Sequence, residues 1–215
     1  MERNKGNKPA SHVKKEDNAV ILDFLSLGYV QSDMSKFRGK PIAQAMGTEN
    51  FTLLELSPKE GVNLEIHDKV YIGKEKRDKI NRILGKLDFE NLTATGRIEI
   101  DYAIREIIES NEEKYVEFFN SVGPLTTRLH KLELIPGIGK KHMWAFIEER
   151  KVKPYESFED IKNRVPSFSD PAGMLVKRIK QELDNTSAKK GKKKYYLFTP
   201  APRRNTDNKN KRNNF

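Results

Sequence analysis

The stretch with the most chemical content runs from Leu125 to Arg150 and centres on Pro136-Gly137-Ile138-Gly139-Lys140-Lys141. Two glycines flanking one apolar residue make a tight turn in which Gly137 and Gly139 reach backbone angles closed to other residues. Ile138 between them can point inward and fix the turn. A helix starting near Lys140 would aim its free N–H groups and positive dipole end at the same spot. Such a helix start is an anion site, and Lys140 and Lys141 add charge where a phosphate would sit. Phosphate contacts position a polyanion without reading its sequence. Turn and flanks together read as helix, hairpin, helix over Leu125–Arg150. Met143 departs from that pattern, which usually has a small residue where the helices cross. Trp144, the one tryptophan, is read more readily as an interior or domain-contact residue than as a platform for a base. A glycine hairpin between two helices can also be purely structural or bind protein.

Catalytic constellations have little support. The four histidines, at positions 12, 67, 130 and 142, are scattered, and His67-Asp68 reads as a turn pair. Glu112-Glu113 and Glu148-Glu149 are adjacent rather than paired across a face, which suits solvated helix surfaces better than a metal nuclease. A phosphate loop ending in Gly-Lys-Ser/Thr is missing. No cysteine is present, which excludes disulfides, thiolate metal ligands and thiol nucleophiles. The expectation is a binding protein rather than an enzyme, with no cofactor and no metal.

Charge is distributed unevenly over the 215 residues, whose net charge is +10. Residues 186–215 carry ten Lys/Arg against one acid, whereas residues 91–124 carry three against seven. A basic tail on a near-neutral body suits a polyanionic partner, although such tails also serve solubility alone. Lys189, Lys190, Lys192, Lys193, Lys194, Arg203 and Arg204 are the tail's candidate phosphate contacts. The interleaved Tyr195-Tyr-Leu-Phe suits single-stranded RNA or, alternatively, a terminal strand docked on the body. The tail has no amphipathic apolar face for a membrane surface, and no apolar signal core opens the chain. A cytoplasmic protein is expected.

Five segments must position these groups. Residues 1–17 have almost no apolar content and read as a disordered N-terminal tail. Residues 18–90 read as a small β domain with strands at Ala19–Val30, Pro41–Met46, Phe51–Leu56 and Lys69–Ile72. These short strands suggest a curled barrel of the oligonucleotide-binding (OB) type. Lys74–Leu84 reads as a helix from the spacing of Ile80, Ile83 and Leu84. Residues 91–124 form a helical connector with helices at Arg97–Ser110 and Glu112–Ser121, its acidic surface turned away from any nucleic acid. Residues 125–185 form the helix-hairpin-helix domain. There Ser157 caps a helix with Phe158, Ile161 and Val165, and Asp170-Pro-Ala-Gly opens another with Lys177, Arg178 and Lys180 outward. Residues 186–215 are the basic tail. The fold class is α+β: an OB-like barrel, then an all-α helix-hairpin-helix domain, with disordered basic termini.

Val70–Gly73, Glu117-Phe-Phe-Asn, Leu129-His-Lys-Leu-Glu, the hairpin, Phe158-Glu-Asp-Ile and Lys194-Tyr-Tyr-Leu-Phe occur in an order that resembles an archaeal family, number 655 among domains of unknown function. The resemblance covers roughly Asn18 to Thr199. It implies an OB-like domain followed by a helix-hairpin-helix domain, and nucleic-acid binding with no catalytic site to carry over. The family's gene context near translation and transcription genes favours RNA or the ribosome over DNA. Two functions compete. One is a nucleic-acid binder, RNA before DNA, gripping phosphates through hairpin and tail. The other is a protein-interaction adaptor on the ribosome or RNA polymerase, docking through the β domain. A metal-dependent nuclease is a weaker third.

Overall fold

The computed structural model describes residues 15–29, 39–184 and 194–201. Its N-terminal half is built on five antiparallel strands: β1 (Asn18–Leu25), β2 (Ile42–Gly47), β3 (Leu53–Pro58), β4 (Lys69–Tyr71) and β5 (Ile80–Lys86), in the order β4-β1-β2-β3-β5. Register shifts interrupt the β1–β2 pairing once and the β3–β5 pairing twice. Bulges of this kind bend strands and increase their twist, and the sheet curls into a half-barrel.

The curl buries both faces. Ala19, Ile21, Ala43, Ala45, Leu54, Leu56, Val70 and Ile80 close on one another, with Leu64 and Ile72 filling the interior. Val20, Leu22, Met46 and Leu53 face the other way, into a core shared with the helices. Hence Ala19–Leu22 is an unbroken apolar run rather than an alternating one. Glu16 ties the start of β1 to the β2–β3 turn, accepting from the backbone N–H groups of Glu49 (2.8 Å), Asn50 (3.1 Å) and Thr52 (3.2 Å). Its carboxylate passes so close to Gly47 that a Cβ there would fall 2.1 Å from Glu16 Cδ.

The expected helix at Lys74–Leu84 is instead a bend followed by β5. Ile83 pairs with Leu56 and Ile80 with Pro58, but only Ile80 is fully buried. Ile80, Ile83 and Leu84 do fall at helical spacing. Three apolar residues are too few to fix a period, and the open edge of β3 supplies backbone partners that no isolated helix would have.

α1 (Ala94–Glu109) is capped by Thr93, whose Oγ1 accepts from Gly96 N, and buries Ile100, Ala103, Ile104, Ile107 and Ile108. It packs on β1, β2 and α5. The acidic middle segment thus lies at the centre of the molecule, though its charged residues stay at the surface. A buried polar chain pins α1 to the sheet: Gln44 accepts from Thr93 N (2.9 Å) and donates to Tyr29 Oη (2.9 Å), and Tyr29 donates to Glu55 (2.6 Å). Burial and the adjacent Glu55 carboxylate push the Tyr29 hydroxyl up to about 12.

α2 (Glu112–Ser121) turns Tyr115, Val116 and Phe119 inward, as expected. Phe119 meets Phe146 (5.6 Å between ring centroids), Phe158 (6.5 Å) and Phe168 (6.3 Å) in an aromatic centre. α3 (Lys140–Val152), α4 (Phe158–Arg164) and α5 (Pro171–Leu183) complete it. Ser157 caps α4 by accepting from Asp160 N, and Asp170 caps α5 by accepting from Gly173 N. Arg105 of α1 grips the same Asp170 carboxylate at 2.7 and 3.3 Å. No helix of the described residues is long and apolar enough to cross a membrane.

Candidate nucleic-acid interface

The residues ahead of the hairpin do not form the expected helix. Pro124–Thr126 (β6) and Leu129–His130 (β7) pair as a short ribbon, and Lys131–Leu134 makes one 3-10 turn. The sequence supplies the reason. Thr126 and Thr127 favour extended backbone, and His130 stops a helix from running through by capping the turn itself. Its Nδ1 accepts from Leu132 N at 3.1 Å, while its own N–H donates to Glu133 at 2.8 Å. A ring nitrogen that accepts must be unprotonated. Burial, followed by the nearby Arg150 charge, holds the His130 pKa below the ordinary imidazole value.

The hairpin keeps the inward Ile138 and the left-handed Gly137, but Gly139 does not adopt the special backbone angles expected of it. Ile135 and Ile138 are buried, with Ile138 N–H donating to the Ile135 carbonyl at 3.1 Å. Gly137 has φ +91°, a left-handed angle that a side chain strains against. Gly139 has the ordinary extended φ of −87°, and a Cβ there would meet nothing within 4 Å. Gly139 leaves open space in front of α3 rather than serving a backbone need. Gly137, Gly139, Lys140 and Lys141 are exposed and Pro136 is half-buried. No side chain caps the start of α3, whose first helical bond runs from Met143 N to Gly139 O. The amides ahead of Met143 point outward beside two lysines.

α3 is held firmly behind that end. Met143, Phe146 and Ile147 are buried, so the large Met143 side chain fills the core where a small residue was expected. Arg164 donates to the carbonyls of Glu149 (2.6 Å) and Lys153 (2.8 Å) and lies 4.4 Å from the Tyr155 ring centroid. Arg150 donates to the Phe119 and Val122 carbonyls at the end of α2, at 2.7 and 2.9 Å. Both arginines therefore cap helix ends. Trp144 is 56% exposed, contrary to the interior position expected for it.

Beside the hairpin, Pro136, Asp101, Lys177, Lys180, Gln181 and Asp184 line an open groove of about 330 Å³. Lys180 pairs with Asp101 at 2.9 Å, while Lys177 is exposed. Arg178, expected on the outer face, is drawn inward and donates to Glu182 (2.8 Å), the Leu134 carbonyl (3.0 Å) and the Tyr195 carbonyl.

Glu182 is the group that sequence reading missed. It is 5% exposed and accepts from Leu197 N (2.8 Å), Phe198 N (3.0 Å), Thr199 N (3.0 Å) and Thr199 Oγ1 (3.1 Å). Phe198 then packs, tilted, against Phe118 (4.8 Å between ring centroids) and Tyr115 (6.2 Å). The segment Lys194–Ala201 docks as a strap without strand pairing, and its aromatics contact the body. Of the expected tail contacts, Lys194 is exposed, whereas Lys189, Lys190, Lys192, Lys193, Arg203 and Arg204 lie outside the described residues. The one available signal was Glu182 itself, three residues past Ile179 on the buried stripe of α5.

No group of three or more His, Asp or Glu side chains among the described residues could hold a metal. His67 Nε2 lies 2.9 Å from Glu99, and Lys69 lies 3.0 Å from Glu106, so these side chains join the start of β4 and the turn before it to α1.

A model of the family described as "Protein of unknown function (DUF655)" matches residues 15–200. The chain belongs to the DUF655 family. The uncharacterised protein MJ0038 of Methanocaldococcus jannaschii is 42% identical over 194 residues, spanning 90% of this chain and 83% of that protein. The crystal structure of Af1531 from Archaeoglobus fulgidus, also DUF655, is 46% identical with a TM-score of 0.77. It covers 86% of this chain and 100% of the solved one. The DUF655 match takes in the hairpin, α5 and most of the strap, and Arg203 and Arg204 fall beyond it.

Proposed function

We propose that this protein binds nucleic acid, RNA in preference to DNA, by gripping backbone phosphates at Pro136–Lys141. The C-terminal lysines and arginines provide a second, looser contact. The observation that carries this reading is the uncapped, exposed start of α3, with Lys140 and Lys141 beside it and open space in front of Gly139. Backbone amides, a helix dipole and two ammonium groups converge there with no carboxylate capping them. In this reading the half-barrel is an OB-like domain. The hairpin is a helix-hairpin-helix unit whose first helix has shrunk to the 3-10 turn at Lys131–Leu134. The preference for RNA follows the family resemblance. The protein acts in the cytoplasm as a binder, ribosome-associated, and not as an enzyme.

Titration of a structured RNA and a DNA duplex at several salt concentrations tests this. Each lysine contact contributes about 1 to the slope of log affinity against log salt, so the double variant K140E/K141E should lose about 2. Unchanged affinity and slope on both ligands would remove the hairpin from the interface. The adaptor reading, docking to ribosomal or polymerase proteins through the β domain, draws on the partly exposed Ile66 and Ile83. Nuclease-resistant co-purification with one of those proteins would favour it.

A further inference from the structure

Trp144 is the only tryptophan of the chain, and more than half of its surface is open to solvent. An indole in that position keeps a flat, polarisable π face open to a partner. Its surroundings restrict what the partner can be. Lys141 and Lys140 stand three and four residues earlier, on the same face of α3. Helical side chains lean toward the N-terminus, which lays the indole over the turn that carries both lysines. Beyond it, Glu148 is paired with Lys151 at 2.8 Å, and Glu149 lies 3.8 Å from Arg164. The unpaired charge around the indole is thus positive. A second copy of the chain docked by two-fold symmetry would bring these lysines toward one another. An apolar protein surface would leave them without counter-charge. A partner with negative charge and a flat π face one helical turn apart satisfies both groups, and a nucleotide has that layout.

We propose that Trp144 is a base-stacking platform and that this site selects single-stranded or unpaired nucleic acid over continuous duplex. The inference rests on the phosphate-binding reading above and narrows its ligand. A base inside a duplex reaches the indole only after unstacking from its neighbours, whereas a base of a single strand is already free to stack. Every base offers a π face, so the selection is for strandedness rather than sequence.

The test uses the full-length protein at low salt, an oligouridylate of about twelve nucleotides, and an RNA duplex of the same length. Binding is read by anisotropy of a labelled strand, and the environment of Trp144 by its own fluorescence. Quenching by the single strand is expected, with little change from the duplex. W144A should weaken single-strand binding roughly five- to hundredfold and leave duplex binding within about twofold, and W144F should restore most of the loss. Because the side chain is exposed, W144A should melt with the parent protein, which separates lost stacking from lost folding. Single-strand binding without quenching, or an equal loss on both ligands, would overturn the stacking role and leave the phosphate site standing. No binding of either ligand would overturn both. Concentration-dependent blue-shifted emission without nucleic acid would assign the indole to self-association instead.

Discussion

Replacing Glu182 by Gln isolates what holds the C-terminal strap. The native carboxylate accepts three backbone N–H groups and one hydroxyl from Leu197–Thr199, and it pairs with Arg178 at 2.8 Å. Side-chain exposure at the pair is 11% for Arg178 and 1% for Glu182, so solvent cannot replace a lost partner. Gln keeps the shape, loses the charge, and turns one oxygen into an NH2 that faces donors. Removing one member of a buried, hydrogen-bonded ion pair costs about 3–5 kcal/mol. In a chain of this size that lowers the melting temperature by roughly 6–20 °C. Arg178 also donates to Leu134, so part of the loss should reach the turn before the hairpin. The assay combines thermal melting with limited proteolysis followed by mass analysis of the cut sites. New cleavage within Lys194–Ala201, together with the lower melting point, is expected. F198A should add less than its own single effect in the E182Q background, because both changes release the same strap. A melting point within about 2 °C of the parent, with the strap still protected, would refute the reasoning.

His130 makes stability depend on pH near neutrality. Its folded pKa lies below the unfolded value, so its contribution is complete above about pH 6.5 and is lost as the pH falls through the folded value. H130N can still cap the turn and should flatten that part of a melting-temperature profile. The two hairpin glycines should separate stability from binding. G137A forces a side chain into φ +91° and should cost about 1–2 kcal/mol in denaturant unfolding. G139A meets no atom within 4 Å and should leave unfolding almost unchanged, while placing a methyl in the path of an approaching phosphate and weakening affinity.

The sequence was most informative where one period dominated. β1 to β4 follow apolar runs bounded by glycine, proline and asparagine turns. α1, α2, α4 and α5 follow helical spacing, with Ser157 and Asp170 marking the starts of α4 and α5, while α1 begins three residues ahead of the expected Arg97, at the Thr93 cap. Short or edge segments were less readable. β5 carries helix-like spacing at Ile80, Ile83 and Leu84, and its strand conformation comes from β3. The segment ahead of the hairpin reads as a helix only because the helix-hairpin-helix pattern places one there, whereas Thr126, Thr127 and His130 argue locally for an extended start and a capped turn. At the site, the exposure of Gly137, Gly139, Lys140 and Lys141 and the inward Ile138 were legible from residue type alone. The Trp144 position was not, because hydrophobicity alone favours the interior for an indole; the contrary signal lies in Lys140, Lys141 and Glu148, three or four residues away on the same face of α3. The Glu182 strap joins residues fifteen to seventeen positions apart through backbone donors, which no side-chain pattern records.

Amide chemical shifts followed during titration with inorganic phosphate, then with a short RNA, bear most directly on the phosphate grip. The N–H signals of Gly139, Lys140 and Lys141 should move first and furthest, and added salt should reverse the change. Saturation of shifts elsewhere on the protein while these three amides stay still would contradict the account.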